Sequence, residues 1–329
     1  MRHPEAAVLP ATRRSDLVGR LCRTMRTRID DWTLTDRSVR IIRLLADSTG
    51  ILRNPLTARS RSVRTESIRG QWVHAGRRSS AGVGAILYLH GGCYFFGSSR
   101  SHYGIAKRLS QHAGCPVFLL DYPLAPEQPF PAAQDATLAA YRLLLDTGLA
   151  PESIAIAGDS AGGHLTAALL NDIHRLGLPM PAAAALYSPA ADLSGELARQ
   201  ANLRAPDPLL PFAFLAEGAA SYLGGVPPTD PRVDILAADK RRWPPILIQI
   251  GELDILRDDA HALAESLHAA DRDCALQIWP GQPHVFQILA GVLPQGRAAI
   301  RCSADFLRSR MVTGPAGHRP DEEQGPAAE

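Results

Sequence analysis

Cysteine is scarce in this chain: Cys22, Cys93, Cys115, Cys274 and Cys302 are the only five in 329 residues. Their number is odd and no two stand in a C-x-x-C spacing. That argues against a zinc site or a disulfide framework and for reduced thiols. Long apolar runs are missing as well. Nothing approaches the roughly 18 apolar residues of a membrane-spanning helix. The stretch MRHPEAAVLPATRRSDLVG has no apolar core of a secretion signal. The expectation is a soluble, cytoplasmic protein with no integral membrane segment. Net charge is only +2, so there is no global signal for a nucleic-acid partner, and none is expected. The charge is uneven, however. Residues 1–78 hold 17 arginines, no lysine and 7 acidic residues. A basic arm touching acidic lipid or nucleic acid is one reading. The arginines alternate with apolar residues, though, and a solvated surface on amphipathic helices is the preferred one.

What the chain does have is 46% apolar residues, enough for one large α/β domain or two smaller ones. In SDLVGRLCRTMRTRIDDW, Leu17, Leu21 and Met25 recur at i, i+4 and i+8. The spacing predicts a helix that buries this face, capped by Ser15 or Asp16. TDRSVRIIRLLADSTG repeats the pattern with Val39, Ile42 and Leu45, and Gly50 is expected just past its end. SVRTESIRGQWVHAG reads as a strand pair. Six short apolar runs follow, AILYLHGG, CPVFLLDYPLAP, ESIAIAGDS, AAAALYSP, PPILIQIGELD and CALQIWPGQPH. Runs this apolar suggest strands buried on both faces of a parallel sheet. Helical stretches such as HYGIAKRLSQHAG and AGGHLTAALLNDIHRLG separate them, so strand and helix alternate as in a doubly wound α/β fold. Residues 192–235 break the alternation and are too long for a simple crossover. They are expected to form a helical insertion on the sheet rim, packed with the helices of residues 1–55 as a cap. The core is then residues 56–310. The tail 311–329, rich in Gly, Pro and charge, is expected to be disordered.

Chemistry concentrates at IAGDSAGGHL, where Ser160 sits in G-x-S-x-G between a strand and a helix. That context makes the serine a candidate nucleophile lifted out on a sharp turn at a helix N-terminus. Upstream, LYLHGGCYFFGS ends a strand in His90-Gly91-Gly92. Backbone N–H groups of Gly91 and Gly92, with that of Ala161, are the candidate oxyanion hole. A serine needs a base, and the base needs an orienting carboxylate. In this chain order, Asp254 in IQIGELDILRDD and His284 in PGQPHVFQ are the candidates. Glu252, Asp258 and Asp259 compete with Asp254. The last two are better placed to start the next helix, where acids suit the dipole. His164 and His90 read as structural, the latter as a loop-shaping ring bonded to backbone.

Together HGGCYFFGS, DYPLAPEQPFPAAQDA, GDSAGG, YSPAADLSG, GELDILRDD and PHVFQ are highly specific. Over about residues 60–310 the chain resembles the hormone-sensitive-lipase-like branch of the α/β-hydrolases, nearest its bacterial carboxylesterases, acetyl hydrolases and lactone hydrolases. The resemblance implies an α/β-hydrolase fold and a mostly parallel sheet with a helical cap. It implies a Ser160–His284–Asp254 triad, an oxyanion hole at the HGG loop and Ala161, and no cofactor or metal. Family members often form homodimers through the sheet edge, so that option is implied too. Three positions depart from the family pattern. Cys93 stands for a third glycine, Pro123 for an arginine, and Ile255 for the proline that commonly follows the aspartate.

The expected activity is hydrolysis of short-to-medium acyl esters through an acyl-enzyme. Acetyl-amide or lactone hydrolysis by the same triad is the alternative. A non-hydrolytic ligand-binding protein on this fold is less favoured, because His284 is present. Phe95 and Phe96 beside the oxyanion loop, and Phe212, Phe214 and Leu215 in the insertion, are the candidate walls of an apolar substrate pocket.

Overall fold

The computed structural model describes residues 8–26, 35–53, 59–65, 68–75 and 84–312. The expected disorder of the tail falls almost wholly outside them. Eight strands form one sheet: β1 (Arg59–Arg64), β2 (Arg69–His74), β3 (Ala85–Leu89), β4 (Val117–Leu120), β5 (Ile154–Asp159), β6 (Ala183–Tyr187), β7 (Ile246–Gly251) and β8 (Cys274–Trp279). Their order is β1-β2-β4-β3-β5-β6-β7-β8. β1 and β2 form the expected strand pair and run antiparallel, β2 runs antiparallel to β4, and every later pairing is parallel.

The apolar runs become strands because both faces of the sheet are covered. Along β3, Leu87 and Leu89 face one core with Ile156, Leu165 and Ile248. Ile86 and Tyr88 face the other with Leu109, Ala155 and Tyr187. Each fully buried large aliphatic side chain contributes about 1.5–3 kcal/mol relative to exposure. β8 differs: it is one edge of the sheet, and its residues are mostly half-buried.

The helices are α1 (Arg13–Arg26), α2 (Asp36–Arg53), α3 (Tyr103–Ala113), α4 (Ala132–Asp146), α5 (Ala161–Arg175), α6 (Glu196–Arg204), α7 (Phe212–Leu223), α8 (Arg257–Ala269) and α9 (Pro294–Arg310). α9 has no counterpart in the reading of the sequence. It packs on α3 and buries Ile300, Ala304 and Leu307 in the second core. Residues 192–235 hold α6 and α7, which lie in chain order between β6 and β7.

The N-terminal helices exist but are turned differently from expectation. Leu17 and Leu21 are 67% and 61% exposed. The buried stripe is Ser15 and Cys22, with Val18 against Trp279, Phe286 and Leu293. Thr12, not Ser15 or Asp16, caps α1: its hydroxyl accepts from Ser15 N–H at 3.3 Å, and Ser15 Oγ accepts from Thr12 N–H at 2.8 Å. On α2, Val39 is buried and Ile42 half-buried as expected, but Leu45 is 58% exposed. α2 also runs through Gly50 rather than stopping there.

Candidate active site

β5 delivers Ser160 to the start of α5 with φ 52° and ψ −119°. Such a conformation is costly for a residue with a side chain and persists only where its surroundings impose it. They do so here. Ser160 N–H donates to Tyr187 O at 2.8 Å, and Ser160 O accepts from His164 N–H at 3.1 Å. The flanking glycines are obligatory: a Cβ on Gly158 would strike the Gly162 carbonyl, and one on Gly162 the carbonyl of Leu89.

His284 lies in the loop after β8, and Asp254 in the loop after β7. His284 Nε2 is 3.0 Å from Ser160 Oγ. Its Nδ1 is 3.0 and 3.1 Å from the two oxygens of Asp254. All three side chains are buried. The loops are locked together behind them. Leu253 N–H donates to Gln282 O at 3.0 Å, and a Cβ on Gly251 would meet that same carbonyl. Val285 N–H donates to Ser188 Oγ at 3.1 Å, which ties the histidine loop to the end of β6.

Burial alone would lower the basicity of His284. The charge of Asp254 and its hydrogen bond, with Asp207 and Asp159 further off, outweigh it, and the imidazole is raised above its ordinary 6.5. The arrangement can therefore take a proton from Ser160 and hold it as an imidazolium facing a carboxylate.

The competing carboxylates have other tasks. Glu252 accepts from Gly281 N–H at 2.8 Å. Asp258 pairs with Arg204. Asp259 is buried and accepts from Ala191 and Asp192 N–H at 2.9 and 2.8 Å. The His164 ring turns to Val233 O instead, its Nε2 3.0 Å away, and burial lowers its pKa to about 4. His90 likewise falls to about 4, through burial first and then the neighbouring His102. It stacks on Tyr122 at 4.1 Å, and its Nδ1 is 2.8 Å from Gly91 O. Burial pushes the Cys93 thiol up to about 12, so it is no nucleophile at neutral pH.

The HGG loop abuts the serine turn. A Cβ on Gly91 would meet the Asp159 carboxylate, one residue before Ser160. Gly91, Gly92 and Ala161 donate to no backbone carbonyl in the loop and turn bonds of the described residues. Under the loop lies a network that the sequence did not disclose. Asp159 Oδ1 accepts from Tyr88 OH at 2.7 Å, and Oδ2 is 3.2 Å from His102 Nε2. Burial would raise this carboxyl; His102 and Tyr88 outweigh it and hold it below the ordinary carboxylate range.

Phe95 and Phe214 are buried with ring centroids 5.9 Å apart, and Phe96 lies 5.2 Å from Phe95. Leu215 joins the same core. Phe212 is half-buried against the same core, with its ring near Gly195 just before α6. A cleft of about 460 Å³ lined by Thr65, Ile68, Asp135, Leu138 and Arg142 includes none of these site residues. Among the described residues no His, Cys, Asp and Glu side chains cluster in a way that could hold a metal ion, and no helix is long and apolar enough to cross a membrane.

Residues 86–288 match the family described as having the α/β-hydrolase fold. The chain is 40% identical over 244 residues to an acetyl-hydrolase of Streptomyces hygroscopicus, covering 74% of this chain and 81% of that protein. It is 33% identical over 257 residues to an esterase of Acinetobacter venetianus, covering 78% and 84%. A crystal structure of an esterase from the bacterial hormone-sensitive lipase family superposes with a TM-score of 0.81 at 34% identity, over 92% of this chain and 100% of that one.

Proposed function

From the premise that this chain belongs to the hormone-sensitive-lipase-like α/β-hydrolases and hydrolyses carboxylic esters, we propose that Ser160, His284 and Asp254 carry the reaction. The observation behind this is the continuous contact from Ser160 Oγ through His284 Nε2 and Nδ1 to Asp254. His284 removes the Ser160 proton as Oγ attacks the acyl carbonyl. The oxyanion sits on the N–H groups of Gly91, Gly92 and Ala161, next to the positive end of α5. Asp254 holds the Nδ1–H tautomer and faces the imidazolium. The imidazolium then protonates the leaving alkoxide. Water, deprotonated by His284, attacks the acyl-enzyme, and Ser160 leaves with the proton returned to it. No step requires a cofactor or a metal.

Short-to-medium acyl groups are the proposed substrates. Two facts support this: Phe95, three residues past Gly92, is buried with its ring 5.9 Å from that of Phe214, and one relative is named an acetyl-hydrolase. α1, α2, α6 and α7 form the cap in this reading. Two contacts support it: Arg26 of α1 donates to Asp207 O of the insertion at 2.5 Å, and Arg43 Nε of α2 to Phe95 O at 2.7 Å. The five cysteines are unpaired, which supports a cytoplasmic setting. The β8 edge is where a homodimer would join.

The test is hydrolysis of p-nitrophenyl esters from C2 to C12 by wild type, Ser160→Ala and His284→Ala. Activity should peak at C2–C6, and each substitution should remove at least about 1,000-fold in kcat. A peak at C10 or above would overturn the compact pocket. Retained activity in Ser160→Ala would overturn the triad.

A further inference from the structure

Asp207 lies in the proline-flanked loop between α6 and α7, well separated along the chain from Ser160, Asp254 and His284. Its side chain is fully buried. Oδ1 accepts from Leu209 and Leu210 N–H at 2.6 and 3.0 Å, which closes its own loop. Oδ2 reaches out of that loop and accepts from Ile255 N–H at 3.0 Å. Ile255 follows Asp254 directly. Its N–H is available only because this chain lacks a proline there; a proline has no N–H to give. From the other side, Arg26 of α1 donates to the Asp207 carbonyl at 2.5 Å. Three separate parts of the chain thus converge on one residue: the insertion and the Asp254 loop on its carboxylate, and α1 on its backbone carbonyl.

We propose that Asp207 is a positioning residue for ester hydrolysis: its buried carboxylate clamps the Asp254 loop onto His284, and its backbone carbonyl ties that clamp to the N-terminal helix. The proposal rests on the Ser160–His284–Asp254 reading. A carboxylate is an expensive group to bury, and three backbone N–H bonds are what such a group requires. The groups facing it are Asp254 and His284 from the site loops, with Arg26 and Cys22 from α1. Burial first, and then the charge of Asp254, push its pKa up to about 6, while His284 and the two loop N–H groups oppose this. Above that pH Asp207 adds negative charge behind His284 and makes the imidazole more basic.

Asp207→Asn keeps an acceptor for the loop but removes the charge and disturbs the bond to Ile255. The acid limb of kcat/KM should then move down by about half a pH unit, because the imidazolium loses a stabilising charge. kcat should fall about 3- to 10-fold with KM little changed, as expected when a base is slightly misplaced. Ile255→Pro keeps the carboxylate and deletes one N–H; it should lower kcat in the same way with a smaller shift of the limb. Wild-type kcat and acid limb in Asp207→Asn would overturn the proposal. If Asp207→Asn does not fold, wild-type kinetics in Ile255→Pro would overturn it, and failure of both to fold would make Asp207 a folding requirement instead. Failure of the underlying triad reading is seen separately, as activity surviving in Ser160→Ala or His284→Ala.

Discussion

Gly91→Ala isolates the fit between the oxyanion loop and the serine turn. The added Cβ would land against Oδ2 of Asp159, 3.0 Å from its backbone carbonyl and 3.1 Å from its Cγ. The carboxylate cannot swing aside freely, since Tyr88 OH holds one oxygen at 2.7 Å and His102 lies 3.2 Å from the other. Two responses remain. If Asp159 yields, a buried hydrogen bond to a charged group is lost, costing about 1.5–3 kcal/mol of stability. If the loop yields, its N–H groups leave the oxyanion position. Loss of one such donor costs about 100- to 1,000-fold in kcat. Backbone is stiffer on the Asp159 side, where β5 pairs with both β3 and β6, so the loop should give way first. The assay is kcat for p-nitrophenyl butyrate alongside a thermal melt. Gly114→Ala is the control: it too forces a side chain, at φ 73°, but meets nothing within 4 Å at the end of α3. It should cost about 1–2 kcal/mol of stability with kcat unchanged. A Gly91→Ala enzyme with kcat within threefold of wild type would refute the reasoning, whatever its melting temperature.

Other expectations follow from the same contacts. His284 must be neutral to accept the Ser160 proton, and its pKa is raised, so kcat/KM should climb with pH through a midpoint above 6.5; a midpoint below 6 would contradict the balance between Asp254 and burial. Asp259 is raised to about 8, by burial first, and its Oδ2 has no partner. The folded state therefore keeps a proton that the unfolded chain releases near pH 4, and this contribution to stability fades as pH rises towards 8. Asp259→Asn, which keeps the acceptor for Ala191 and Asp192, should raise the melting temperature relative to wild type more at pH 8 than at pH 5; equal effects at both would count against it. Arg43 donates to Phe95 O and Ala125 O at 2.7 and 2.9 Å besides its exposed pair with Glu127. Arg43→Ala should cost about 1.5–3 kcal/mol, almost all of it from the two carbonyls. Arg43→Lys should recover less than half, because an ammonium cannot span both; full recovery, read by denaturant melts, would show that the charge alone matters.

Which parts of this molecule were legible in its sequence depends on whether the deciding contact is local. The core strands were, because a strand covered on both faces must be apolar throughout, as Ile86 to Leu89 and Ile154 to Ala157 are. The serine turn was, because Gly158 and Gly162 exclude side chains within a few residues of Ser160. Asp254 and His284 are candidates from chain order and loop position; in the structure both stand in line with Ser160, and the carboxylates that compete with Asp254 have separate partners. The face of α1 was not. Leu17–Leu21 and Val18–Cys22 are adjacent stripes of similar apolarity on one helix. What selects the second is a cluster at Trp279, Phe286 and Leu293, at the other end of the chain. α9 escaped notice because its core face relies on small residues, Ala299, Ser303 and Ala304, beside Ile300 and Leu307.

Asp207 shows the same limit in a sharper form. Nothing near it in RAPDPLLPF marks it, and a proline-rich loop commonly contains an acid for solvation or turn geometry. Its meaning comes from Ile255 N–H, 48 residues away, and from Arg26, 181 residues away. The departure at Ile255 looked neutral in sequence because it removed no reacting group. In the structure it supplies the donor that a proline would lack. The substitutions most worth testing near such a site are therefore the silent departures whose backbone groups acquire a buried partner.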